Sequence, residues 1–198
     1  MKGILLAGGA SRRMGGVNKA LLEVGGHRII ERIVGTLSQT AQEIFVVTNT
    51  PADYAFLHLP MLRDVVPGAG SLGGLYTGLS ACADTRGFLV ACDMPFLNAE
   101  VIRYMAGLAY KADVVVPRIR GLLEPLHAIY SAACIPHIAG LLHNSDLKIL
   151  NLYDKVEVLE VSEQELAVFD PNLHFIMNVN TPEDLQQARR LVQEIDQH

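Results

Sequence analysis

The segment Lys2–Leu22, KGILLAGGASRRMGGVNKALL, constrains the fold of this chain more than any other stretch. Lys2 to Ala7 is a short apolar run of the kind buried in a parallel sheet, and Gly8 and Gly9 break it at its carboxyl end. Arg12, Arg13 and Lys19 follow within one loop. Glycines let backbone N–H groups approach an anion closely, and nearby cations neutralise a polyphosphate. The pattern predicts a nucleoside triphosphate site at the first strand–loop junction of an α/β fold. Spacing alone leaves a second reading open, in which the glycine pair is a tight turn and Arg12 and Arg13 are solvated. A signal peptide does not fit, because the apolar part is short, is interrupted by glycine and runs at once into two arginines. The Walker A spacing is absent. So is the G-x-G-x-x-G fingerprint, and the second strand ends in Thr48, Asn49 and Thr50 rather than an acid.

Beyond that segment, strand-like and helical runs alternate. Arg28 to Ala41 reads as a helix, with Ile29, Ile30, Ile33, Val34 and Leu37 on one stripe. Ile44 to Thr48 and Leu59 to Arg63 read as strands, the latter ending at Asp64. The loop PGAGSLGG leads to a helix from about Leu75 to Ala83. Gly87 to Cys92 is a strand halted by Asp93 and Pro95, and Asn98 caps a helix continuing to Ala109. Asp113 to Pro117 is the next strand. Further on, Leu126 to Ser131, Val156 to Val161 and His174 to Val179 read as strands, and Ala132 to His143, Leu147 to Asp154 and Glu163 to Phe169 as helices. Thr181-Pro182-Glu183-Asp184 is a helix start, with a capping threonine, an early proline and acids near the positive dipole end. Such alternation predicts a mostly parallel sheet with helices on both faces, in one domain over residues 1–198.

Bulk properties narrow the function. The chain has 198 residues, half of them hydrophobic, enough for one sizeable core. A net charge of −5 offers no basic face for nucleic acid, and no run is long and apolar enough to span a membrane. The three cysteines, Cys82, Cys92 and Cys134, form no C-x-x-C pair, which suits reduced thiols in the cytoplasm. No H-x-x-x-H spacing points to zinc.

In an open parallel sheet, ligands bind beyond the carboxyl ends of the strands. Gly8 and Gly9, Asn49, Asp64 and Asp93 all fall at such ends. Asp93 follows the apolar run FLVAC, so a rigid strand would hold its carboxylate at the lip of the sheet. Mg²⁺ takes one or two carboxylates and completes its shell with phosphate oxygens and water; a plain strand end before Met-Pro is the alternative. Cys92 reads as a buried small hydrophobe rather than a nucleophile. Gly70, Gly73 and Gly74 read either as a tight turn against base or ribose, or as a turn before a helix.

The order of residues in LAGGASRRMGGVNKALL resembles the L-A-G-G-x-S-x-R-M-G signature, followed by lysine, of the molybdenum cofactor guanylyltransferases. These belong to the nucleotidyltransferase superfamily. The resemblance continues at Asp64 in RDVVPGAGSLGGLYTGL, Asp93 in VACDMPF, Glu124–Tyr130 (EPLHAIY) and Asn178–Leu185 (NVNTPEDL). It implies a Rossmann-like three-layer sandwich of the nucleotide-diphospho-sugar transferase kind. A nucleotide-binding half would span about 1–117 and an acceptor half about 118–198. It also implies transfer of GMP from GTP to the phosphate of molybdopterin carrying molybdenum, with Mg²⁺ and release of pyrophosphate. Transient contacts with molybdenum cofactor insertion proteins would follow. By the same resemblance, Arg13, Lys19 and Asp93 carry catalysis, with Asp93 on the metal. Leu6, Ala7, Gly8, Gly9, Lys19, Asn49, Asp64 and Asp93 hold GTP. Glu124, His127 and Asn180 face the acceptor. A hydrogen-bonded pair supporting a strand is the other reading of Glu124 and His127, and Asn180 also suits a plain lead into its helix cap. Asn18 departs from the aspartate that many relatives place before the lysine. CMP transfer to the same pterin, sugar-1-phosphate nucleotidyl transfer and a non-catalytic nucleotide-binding partner of molybdoenzymes are the rival functions.

Overall fold

The computed structural model describes residues 1–8, 17–83 and 85–195. Gly9, Arg12 and Arg13 of the expected phosphate loop lie outside them. In chain order the elements are β1 (Lys2–Leu6), a ribbon of β2 (Glu23–Val24) and β3 (His27–Arg28), α1 (Ile29–Leu37), β4 (Ile44–Val47), β5 (Met61–Leu62), α2 (Gly70–Ala81), β6 (Gly87–Ala91), α3 (Ala99–Leu108), β7 (Val114–Ile119), β8 (Leu122–Leu123), β9 (His127–Tyr130), α4 (Cys134–His143), β10 (Val158–Ser162), α5 (Glu163–Leu166) and α6 (Pro182–Ile195). Short 3₁₀ turns connect several of them, among them Lys19–Leu21, Pro51–Leu57, Ile149–Leu152 and His174–Ile176.

Period-two alternation sorts the strand residues onto two cores. Leu5, Phe88, Val90, Val115 and Ile129 face α1, α3 and α6, meeting Ile30, Ile33, Val101, Met105, Ala188 and Val192. Their neighbours Ile4, Leu89, Val114, Val116, Ala128 and Tyr130 face α2 and α4, meeting Leu72, Leu75, Leu79, Ile138 and Leu141. The result is a three-layer α/β sandwich. The main sheet runs β10-β7-β9-β6-β1-β4-β5, with β8 on β7, and strands from both halves of the chain share it. β9 runs antiparallel to β6 and β7, whereas β1, β4, β5 and β6 are mutually parallel.

The chain leaves β1, builds outward through β4 and β5, then returns to place β6 on the other side of β1. This reversal opens a crevice at the carboxyl ends of β1 and β6. The parallel register there is Leu6↔Ala91, and the Cys92 amide donates to the Leu6 carbonyl at 3.1 Å. Gly8 and Asp93 therefore leave the sheet side by side.

Several expectations change in detail. The helix expected from Leu75 begins at Gly70, so Gly73 and Gly74 are helix interior rather than a turn against the nucleotide. Close packing explains this: a Cβ on Gly74 would lie 2.7 Å from a Leu6 methyl, and one on Gly78 2.2 Å from Ile4. The helix needs small residues to lie on β1. The strand expected at Leu59–Arg63 shortens to Met61–Leu62 at the sheet edge. Only Ile149–Leu152 of the expected Leu147–Asp154 helix forms, as a 3₁₀ turn. His174–Val179 is not a strand. The Phe175 amide donates to Asp170 Oδ2 at 2.8 Å, which fixes a 3₁₀ turn, and the Val179 amide donates to the Asp93 carbonyl at 2.8 Å. Those bonds replace a sheet ladder. Asn98 does cap α3, accepting from the amides of Glu100 and Val101 at 2.8 and 3.2 Å.

Candidate active site

Asp93 sits one step past Cys92 at the end of β6, and its backbone is held by the Val179 amide. Its Oδ2 lies 3.6 Å from Lys19 Nζ. Its Oδ1 is buried and has no hydrogen-bond partner among the described residues. Burial pushes the Asp93 carboxyl above its ordinary range, while the Lys19 ammonium pulls the other way. A half-buried carboxylate with one oxygen unsatisfied, held on a rigid strand end, suits a divalent cation taking one protein carboxylate.

Lys19 begins the 3₁₀ turn Lys19–Leu21, whose Ala20 is fully buried and pins the turn to the core. Asn18 caps this turn, its Oδ1 accepting from the Ala20 amide at 3.2 Å. From there Lys19 Nζ reaches Asn180 Oδ1 at 2.6 Å as well as Asp93. Asn180 ends the strap that follows Val179. Its amide and that of Thr181 donate to Asp184 Oδ2 at 2.9 and 2.8 Å, and Thr181 Oγ1 accepts from the Asp184 amide at 3.1 Å. This reciprocal cap starts α6 and aims Asn180 back at the crevice. Three elements distant in sequence thus deliver Lys19, Asp93 and Asn180 to one point. Asn180, expected toward the acceptor, contacts the lysine.

The other side of β1 carries a second pair. Asn49 follows β4 and Asp64 follows β5, and the Asp64 amide donates to Asn49 Oδ1 at 3.3 Å. Ala7 is buried, with its amide donating to the Val47 carbonyl at 2.9 Å, while Leu6 is half-buried and Gly8 is exposed. Cys92 is held as a thiol, its pKa pushed up to about 12, chiefly by burial. That leaves no thiolate for nucleophilic chemistry.

Glu124 and His127 are joined through the backbone, the His127 amide donating to the Glu124 carbonyl at 3.0 Å, and the His127 side chain, expected toward the acceptor, turns into the core. The imidazole is fully buried, and neither ring nitrogen has a hydrogen-bond partner among the described residues. It packs edge-on to Phe88 and against Phe175, both with centroids 4.9 Å away. Alternation along β9 turns it inward beside Ile129. Burial lowers its pKa to about 3. The sign follows: the unfolded chain binds a proton near pH 6.5 that the native state refuses, so stability is lost as pH falls from 6.5 toward 3. Denaturant unfolding at pH 7 and pH 5 should show His127→Leu escaping about 2 kcal/mol of the acid loss suffered by the wild type. Equal losses in both proteins would contradict a neutral buried imidazole. Glu124 is half-buried, and burial raises its carboxyl pKa.

Tyr54 was not legible as part of this region. It is 2% exposed, and its phenol lies against the Asn18 amide, accepting from Nδ2 at 2.9 Å and donating to Oδ1 at 3.2 Å.

Residues 3–157 match the family described as the MobA-like NTP transferase domain. This chain belongs to that family. The molybdenum cofactor guanylyltransferase of Desulfosudis oleivorans is 38% identical over 191 residues, covering 96% of this chain and 95% of its own. The probable molybdenum cofactor guanylyltransferase of Pelotomaculum thermopropionicum is 41% identical, with 94% and 91% covered. The crystal structure of molybdopterin-guanine dinucleotide biosynthesis protein A from Archaeoglobus fulgidus superposes with a TM-score of 0.85 at 26% identity, covering 98% of this chain and all of that one. A nucleotidyl transferase from Methanothermobacter shares the fold, with a TM-score of 0.75 at 20% identity and 98% of each chain covered. In this MobA-like fold, Lys19 and Asp93 meet where β1 and β6 end.

Proposed function

We propose that this protein transfers GMP from GTP to the terminal phosphate of molybdenum-bearing molybdopterin, releasing pyrophosphate. The observation that carries this reading is the meeting of Lys19, Asp93 and Asn180 at the β1–β6 crevice in a chain of the MobA-like family. The near-full-length relatives named as guanylyltransferases support guanine as the base. The transfer joins an acceptor phosphate oxygen to the α-phosphorus and breaks the bond to the β-phosphate oxygen. The acceptor is already anionic, so alignment and charge neutralisation suffice and no strong base is required.

Asp93, whose buried Oδ1 has no partner among the described residues, would hold Mg²⁺, which when bound neutralises charge on the phosphates. Lys19 supplies a point charge that turns from Asp93 and Asn180 to the triphosphate. Asn180 keeps the ammonium within the crevice while it does so. Arg13, with its guanidinium fork, and the backbone of Leu6, Ala7, Gly8 and Gly9 serve the same phosphates. Asn49 and Asp64 orient the nucleoside from the β4 and β5 side. Residues from about 118 onward, Glu124 and Asn180 among them, form the acceptor side. Among the described residues no helix is long and apolar enough to cross a membrane.

A ligand that binds only the native state raises stability by mass action. With Mg²⁺ present, GTP should raise the melting temperature more than CTP at equal concentration. Equal or larger shifts with CTP would contradict guanine selectivity.

A further inference from the structure

The turn that carries Lys19 has an unusual support. Asn18 caps it with Oδ1, so the plane of the Asn18 amide sets the direction of the turn. That plane is fixed in turn by the Tyr54 phenol, which meets both ends of the amide. Tyr54 belongs to the 3₁₀ turn Pro51–Leu57, directly after Thr48, Asn49 and Thr50. The Asp53 amide donates to the Thr50 carbonyl at 3.1 Å, and the Thr50 amide to Thr48 Oγ1 at 3.1 Å, so this segment is stiff back to β4. Burial pushes the phenol pKa up to about 12, which keeps its proton available to Asn18. Asn18 and Tyr54 thus bridge the lysine turn after β1 and the loop after β4 that carries Asn49.

We propose that Tyr54 and Asn18 are positioning residues which hold the Lys19 turn in register with the Asn49 loop, so that phosphate and nucleoside are aligned together. This rests on the nucleotidyl-transfer reading for its catalytic consequence, though not for the geometry. An amide at position 18 suits the task. It donates to the phenol oxygen while accepting from the Ala20 amide, and it adds no negative charge beside the triphosphate. Tyr54→Phe keeps the buried ring and removes only the oxygen, so its effect on Lys19 is carried by the hydrogen bond.

Two measurements on the full chain test this. Brief acylation of lysine amines with a limiting N-hydroxysuccinimide ester, read by peptide mass spectrometry, reports how firmly Lys19 is held without any substrate. Labelling of Lys19 should rise severalfold in Tyr54→Phe and in Asn18→Ala, with the other lysines unchanged. It should fall back toward wild type in Asn18→Asp, which can still accept from the Ala20 amide and from the phenol. In GMP transfer, Tyr54→Phe should lower kcat about tenfold, with KM for GTP within about threefold, because misaligned groups lose the transition state more than the ground state. Tyr54→Phe combined with Asn18→Ala should be no worse than the poorer single variant, since the two act as a unit. Unchanged Lys19 labelling, an unchanged kcat, or additive losses in the double variant would overturn the proposal. Variants that label as expected, with a wild type that transfers no GMP, would refute the guanylyl reading and leave the positioning role standing on the labelling.

Discussion

Asp93→Asn should reduce GMP transfer on the order of a thousandfold, a loss of about 4 kcal/mol of transition-state stabilisation. The substitution keeps the size of the side chain and removes the one carboxylate that β6 delivers beside Gly8. It also breaks the ion pair that holds Lys19 3.6 Å from Oδ2. The fold should survive. The carboxylate is partly buried, with one oxygen unpaired among the described residues, so a neutral amide there relieves an electrostatic burden rather than adding one. The expected signature is therefore a split, with melting temperature held or raised while turnover nearly vanishes. The assay is transfer to molybdopterin across a Mg²⁺ titration, with circular dichroism confirming the fold. Turnover like that of the wild type at ordinary Mg²⁺ would mean that the metal is held by other groups.

Lys19→Ala should cost nearly as much, on the order of a hundredfold or more, for a different reason. Lys19 has its ammonium on Asn180 and Asp93, so its charge is held at the crevice proposed to take the triphosphate. Truncation removes it and leaves the Asp93 carboxylate without its ion-pair partner, which also weakens GTP binding. Lys19→Arg should not rescue the loss. A planar guanidinium cannot occupy the compact site between two oxygens in the way an ammonium does. Melting should change by only a few degrees, because Ala20 rather than Lys19 anchors the turn in the core. Full activity in Lys19→Ala, or gross unfolding, would remove the lysine from the phosphate site.

The parts of this arrangement legible in the sequence are those set by local or periodic signals. Apolar runs gave β1, β4 and β6, and the residue after each run marked the edge where Gly8, Asn49 and Asp93 stand. Asn98 and Thr181 announced their helices because a cap is a contact across three or four residues. What stayed hidden depends on contacts remote in sequence. Both faces of the sheet are buried, so alternation could not say that His127 turns inward between Phe88 and Phe175. Glycines made PGAGSLGG look like a loop, although packing of Gly74 and Gly78 onto β1 goes with a helix from Gly70 onward. His174–Val179 is apolar enough for a strand, but its amides are taken by Asp170 and Asp93. The Gly25-Gly26 pair, with φ of +62° and +76°, closes the small ribbon β2–β3. Tyr54 lies 36 residues from Asn18, and no local pattern joins them.

The crevice between β1 and β6 is proposed to move GMP onto a pterin phosphate. Purified protein with Mg²⁺, molybdopterin and either GTP or CTP tests it directly, with the product identified by mass and pyrophosphate counted. A guanine dinucleotide of the pterin, formed with one pyrophosphate per turnover and much faster than any cytosine counterpart, is the predicted result. A cytosine dinucleotide formed at an equal or greater rate, or GTP consumed without any pterin product, would contradict it.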